Sequence, residues 1–117
     1  MSNTPLLPAG FEALEPFAAR WAIDGSAARA QARNDSSEEE RVAFFEAAKG
    51  LVGPALDLLD AKPLGALDAA EQRLMNLTLS FAHVAMAVEV HGKAEPRHAE
   101  FRKLMRITRT PADQPAA

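Results

Sequence analysis

Fifteen consecutive residues, Leu74 to Val88, carry no charge in a chain that is one quarter charged. Such a run must be hidden from water around most of its circumference. Its period is helical. At ~100° per residue, Leu74, Leu77, Phe81, Val84, Ala85 and Val88 make one broad apolar stripe. Met75, Leu79, Met86 and Val90 make a second, roughly opposite one, and Asn76, Ser80 and His83 fall in a narrow polar sector between them. Asp68 with Glu71 has the spacing of a capping box, and Gly92 is a natural stop. The pattern predicts a long helix from Asp68 to His91.

Two further long helices precede it. Pro16 suits a first helical turn, and Leu14, Phe17, Trp21, Gly25, Ala28 and Ala32 share one face. That phase favours one helix from Pro16 to Arg33, although Asp24-Gly25-Ser26 offers a turn as the alternative. Ser37 with Glu40 forms another capping box, with Glu38 and Glu39 complementing the helix dipole. The second helix then extends to about Asp60, with Phe45, Ala48, Val52, Leu56 and Leu59 on its apolar side and Phe44, Leu51 and Ala55 widening it. Gly53-Pro54 predicts a kink inside it. Lys62-Pro63-Leu64-Gly65 is a connection. A short fourth helix begins at Glu95-Pro96, with Phe101, Leu104, Met105 and Thr108 on one side and the basic patch Arg102, Lys103, Arg106 and Arg109 on the other. Its apolar side is expected to dock on the core, leaving the basic side in solvent or against acidic groups.

The fold class that results is all-α, a bundle of three long helices plus a short C-terminal amphipathic helix. Residues 1–110 read as a single domain, with 1–10 an arm held against the core by Leu6, Leu7 and Phe11. Residues 111–117 have nothing to bury and read as a disordered tail. The stretch Leu7-Pro8-Ala9-Gly10-Phe11-Glu12-Ala13-Leu14-Glu15-Pro16-Phe17, followed by Trp21-Ala22, resembles the opening of a family of small bacterial helical proteins without an assigned activity. The likeness extends over about two thirds of the chain. The resemblance implies a helical fold and no particular chemistry.

Charge is unevenly placed. Residues 93–109 hold six Lys/Arg against two Glu, a balance of +4, and the rest hold seven against fourteen, −7, which together give the chain's −3. The basic segment could touch nucleic-acid phosphates, but the acidic whole and the absence of helix-turn-helix spacing make nucleic acid an unlikely partner. Its apolar face is too small for a membrane surface, and the neutral run is too short to span a bilayer. No basic stretch followed by an apolar one opens the chain, so a cytoplasmic location is the expectation.

Little catalytic chemistry is on offer. The chain has no cysteine, which excludes disulfides, thiolate zinc sites and a thiol nucleophile. Its three histidines form no His pair at i, i+4 and no His-Glu-x-x-His, and no pair of Glu-x-x-His motifs supports a di-iron bundle. No glycine-rich phosphate loop occurs. No catalytic residue, metal or cofactor is therefore assigned. Asn76, Ser80 and His83 could line a small ligand pocket, with His83 as acid/base; the plainer reading gives them internal hydrogen-bond partners. A helix apolar on two sides must be covered on two sides. With two other long helices available, the second stripe (Met75, Leu79, Met86, Val90) is predicted to be an interface between two copies of the chain. Cover by the arm and fourth helix within a monomer is the alternative. The favoured function is a non-enzymatic, homodimeric interaction protein, with an unidentified protein as a further partner; a small-ligand protein or small enzyme is the runner-up.

Overall fold

The computed structural model describes residues 5–102 and Leu104. Its regular structure is helical, with no strand among the described residues. A 3-10 turn (Glu12–Leu14) leads into α1 (Glu15–Trp21), α2 (Ser26–Asp35), α3 (Glu38–Ala48) and α4 (Val52–Asp60). A second 3-10 turn (Leu64–Ala66) precedes α5 (Ala69–Ala85). A π-helical turn (Met86–His91), a 3-10 turn (Gly92–Ala94) and α6 (Glu95–Arg102) complete the order.

The first two predicted long helices are each divided. The helix expected from Pro16 to Arg33 stops at Trp21 and restarts at Ser26. Gly25 sits at φ 101°, ψ 128°, which an L side chain rarely adopts, so the Asp24-Gly25-Ser26 turn prevails over helical continuity. Buried Arg29 reaches back across the break and donates from Nη1 to the Ile23 carbonyl at 2.9 Å. The break also resets the helical phase: Ala28 points to solvent and Arg29 inward. Replacing Gly25 with alanine is expected to cost ~1–3 kcal/mol. A Cβ there meets nothing within 4 Å, so the cost is backbone strain alone. The control is Gly53→Ala, helical and equally uncrowded, which should be neutral or add about 0.4–1 kcal/mol. Urea titrations of both variants distinguish strain from crowding.

The second division falls at Lys49–Leu51, ahead of the expected kink. Leu51 donates to the Ala48 carbonyl at 2.8 Å, and α4 then begins at Val52. Pro54 thereby lies in a first turn, where its missing N–H has no intrahelical acceptor to lose. The continuous helix with a central kink becomes two helices. Both predicted capping boxes form. Glu40 N donates to Ser37 Oγ at 3.1 Å and Ser37 N to Glu40 Oε1 at 2.9 Å. Asp68 and Glu71 repeat the exchange at 2.8 Å in each direction.

These divisions decide how α5 is covered. Four short segments, α1 to α4, pack against it in place of two long ones. Leu74, Leu77 and Val84 are buried with Trp21, Phe44 and Leu59 in one apolar core. Phe44 is fully enclosed: Trp21 stacks on it with centroids 5.2 Å apart, Phe17 lies at 5.8 Å, and Phe81 meets it edge-on at 6.2 Å. Within 74–88, Ala82 and Met86 are exposed and the rest are buried or half-buried. The arm contributes buried Leu7 and Phe11. It is fastened by the Glu15 carboxylate, which accepts from the backbone N–H of Leu6 and Leu7, and by Arg73, which donates to the Leu6 carbonyl at 2.8 Å. No helix among the described residues is long and apolar enough to cross a membrane.

Candidate functional site

The chemistry-bearing side chains gather where α5 ends, at the corner formed by the π-helical turn, α6 and the α2–α3 junction. The π-helical turn widens the end of α5, and Gly92 then reverses the chain at φ 49°. That reversal brings α6 back against the turn and carries Glu95, its first residue, into the interior.

Glu95 is the hub. Its side chain is 2% exposed and accepts from three sources. Arg33 on α2 engages it through two bonds, Nη2 to Oε1 at 2.9 Å and Nε to Oε2 at 3.1 Å. Arg102 on α6 adds a short contact from Nη2 to Oε2. His91 Nδ1 lies 3.0 Å from Oε1 and 3.0 Å from Arg33 Nη2. The nitrogen can donate to the carboxylate when protonated or accept from the guanidinium when bare, so either tautomer is satisfied. The His98 ring stacks on His91 with centroids 3.9 Å apart. Burial pushes the Glu95 carboxyl upward, but the hydrogen bonds from Arg33, His91 and Arg102 overcome it and hold the pKa down to about 2.

Cations outnumber anions here. Arg41 on α3 is buried and uses Nη1 to tie the α2–α3 junction. It donates to the carbonyls of Ser36 and Arg33 and to Ser36 Oγ, the last at 3.2 Å. Among the described residues it has no carboxylate partner. Arg102 orients on Asn34 Oδ1 at 2.8 and 3.1 Å, and its Nη1 is buried without a partner among the described residues. The excess is felt at His83, which is half-buried. Burial first, then the charges of Arg33, Arg29 and Arg102, hold its pKa below the ordinary histidine value. Beside the cluster a cleft of about 430 Å³ opens between the α2–α3 junction and the start of α6.

No family model, curated protein or solved structure matches this chain.

The residues singled out from sequence fall as follows. Ser80 is buried and its hydroxyl donates to the Trp21 carbonyl at 2.6 Å. Asn76 is buried and accepts from Gln72 at 3.1 Å. His83 lies on the same helix, nearer the arginine cluster. Of the second stripe, Met75 packs against the core and Leu79 is half-buried, whereas Met86 and Val90 are 46% and 67% exposed. In α6 the expected orientation is reversed. Arg102 turns inward to Glu95 and Asn34, while Phe101 and Leu104 are 63% and 85% exposed. A part-buried, charge-paired guanidinium anchors the helix more specifically than one phenyl ring would. Lys103, Arg106 and Arg109 lie outside the described residues, as do Met105, Thr108 and the 111–117 tail.

Sequence reasoning missed the arginine–glutamate hub. Its available signals were Arg29 and Arg33 at i, i+4 among alanines, and a glutamate directly before a helix-starting proline. Among the described residues no group of three or more His, Asp or Glu side chains could hold a metal.

Proposed function

We propose that this chain is a non-enzymatic helical interaction module that pairs with a second copy of itself through the corner built by the π-helical turn and α6. The observation that carries the reading is the placement of Met86 and Val90 on the π-helical turn, Phe101 on α6 and Leu104 just beyond it, large apolar side chains left in water. Charge argues for a second copy as the occupant. Exposed Glu89 and Lys93 stand four residues apart, and exposed Arg97 and Glu100 three apart on α6. Across a two-fold axis residue i meets j and j meets i, so mixed signs placed off the axis can be self-complementary. The hydroxyl of Ser80 and the amide of Asn76 are committed internally, which supports an interaction role over catalysis. A cytoplasmic setting belongs to the same reading and is checked by cell fractionation.

Sedimentation velocity over a concentration series tests the pairing. The expected result is a reversible shift from monomer to dimer with a midpoint at or below ~100 μM. Val90→Glu and Phe101→Glu change exposed side chains, so they should leave the helical circular dichroism intact and weaken pairing by at least ~tenfold. A wild-type chain that stays monomeric well above ~100 μM rejects the proposal.

A further inference from the structure

The cleft beside the arginine cluster has the features of an anion site. It is lined by Asn34, Ser37 and Arg41 on one side and by Lys93, Glu95 and Pro96 on the other, with Glu38 at its edge. Arg41 is the decisive group. It is 95% buried, lacks a carboxylate partner among the described residues, and engages the junction through Nη1 alone. Its Nε–H and Nη2–H make no hydrogen bond among the described residues, and together they are the side-on edge of the guanidinium that binds two oxygens of one group. A buried cation without a counter-charge is costly, and an anion in the cleft would relieve that cost.

The walls of the cleft carry further donors. Lys93 is an exposed ammonium on the opposite wall. Ser37 caps α3, an eleven-residue helix, and its hydroxyl satisfies Glu40 N–H, which leaves the first-turn N–H groups of Glu38 and Glu39 without intrahelical acceptors. Two carboxylates line the cleft and oppose an anion, Glu95 and Glu38, and Glu39 and Glu40 follow in the same first turn of α3. Glu95 is already engaged by Arg33, Arg102 and His91, so its charge is neutralised locally. Glu38 is exposed and unneutralised.

We infer that this cleft binds a phosphoryl group, the class of ligand that offers several oxygens and up to two negative charges to a guanidinium edge, an ammonium and helix N–H groups at once. The source is orthophosphate or a phosphomonoester. The inference does not rest on self-pairing: Asn34, Ser37, Glu38 and Arg41, at the α2–α3 junction and the start of α3, take no part in the proposed interface, and Lys93 is the one group the two share.

Titration of the ¹⁵N-labelled chain with sodium phosphate, at ionic strength held constant with sodium chloride, provides the test. Phosphate should shift the amides of Ser37, Glu38, Glu39 and Lys93 saturably, and chloride alone should not. Lys93→Glu should weaken the response ~tenfold, and Glu38→Gln, which removes a repelling charge, should strengthen it by about twofold to fivefold. Both side chains are exposed, so both variants keep the fold even if Arg41→Gln fails to fold. A parallel titration with phosphoserine identifies the source: tighter binding than orthophosphate marks a monoester site, equal or weaker binding a free-anion site, and either supports the phosphoryl chemistry. Absence of saturation at tens of millimolar phosphate, or titrations of Lys93→Glu and Glu38→Gln superimposable on the wild type, overturns it.

Discussion

Replacing Glu95 with alanine is expected to lower the unfolding free energy by ~3–5 kcal/mol, a large share of the ~5–15 kcal/mol typical of a domain. The glutamate is the shared anion of Arg33 and Arg102, and its side chain is 2% exposed. Its loss leaves Arg33, 6% exposed, as an unpaired buried cation. The same loss removes the ion pair that ties α6 to α2 and leaves the Arg102–Asn34 bonds to link the two helices. Arg33→Met combined with Glu95→Leu should cost less than Glu95→Ala alone, because the unpaired charge is then removed together with its partner. The pH profile supplies an independent check. The folded pKa is about 2, below the ordinary value of 4.5, so the ionised form is the one favoured by folding. Its contribution is complete above about pH 4.5 and is lost as pH falls toward 2, on the order of 3 kcal/mol in all. Urea midpoints followed across that interval should fall steeply in the wild type and less in the Glu95→Leu, Arg33→Met pair.

The hub was hard to see in the sequence for a physical reason. Apolar periodicity sorts residues by hydrophobicity, and an arginine on a helix is placed in solvent by default. Arg29, Arg33 and Arg41 go inward because small neighbours such as Ala30 and Ala32 leave room, and because the ends of short helices present carbonyls that need donors. The Ile23 carbonyl is free only because the first long helix is divided, so the burial of Arg29 follows from that break, whereas Arg41 serves carbonyls at the expected junction between Arg33 and Ser37 and Arg33 turns to Glu95. Gly25 could have signalled the first break, since Asp24-Gly25-Ser26 is a turn sequence. The in-phase alanines after it argued the other way and were misleading: alanine is small enough to sit on either face.

What the pattern conveyed well were features fixed by local chemistry. Both capping boxes form with their reciprocal bonds because they depend on four adjacent residues and not on tertiary packing. The neutral run is covered as a segment without one charge requires. The source of the cover differs from expectation. Met75 packs against the core and Leu79 is half-buried, so the side chains of that stripe that remain in water are those at the far end, Met86 and Val90, in the π-helical turn. The candidate site accordingly shifts from the middle of α5, where Asn76 and Ser80 find partners, to its C-terminal end.

Phe44→Ala is expected to cost ~3–5 kcal/mol, the range for removing a fully enclosed aromatic ring. Phe44 has no exposed surface, and three aromatic neighbours, Phe17, Trp21 and Phe81, rest on it from α1 and α5. An apolar crevice of about 10 Å³ already borders the ring, lined also by Leu14, Ala48, Leu51 and Leu77. Deleting the ring joins its volume to that crevice, and the cavity term adds to the lost transfer energy. Phe45, one residue on, gives the contrast. It is half-buried, stacks on Phe81 at 5.6 Å and has the Lys49 ammonium 5.9 Å from its ring centre, so Phe45→Ala should cost about half as much or less. The chain's single tryptophan reports the difference directly, since Trp21 lies parallel to Phe44 at 5.2 Å. In the folded Phe44→Ala variant its emission should change, whereas Phe45→Ala should leave it near the wild-type spectrum. Equal destabilisation by the two substitutions would mean that α3 presents both rings to the core alike. The aromatic junction between α1, α3 and α5 would then be organised differently from the stacking described.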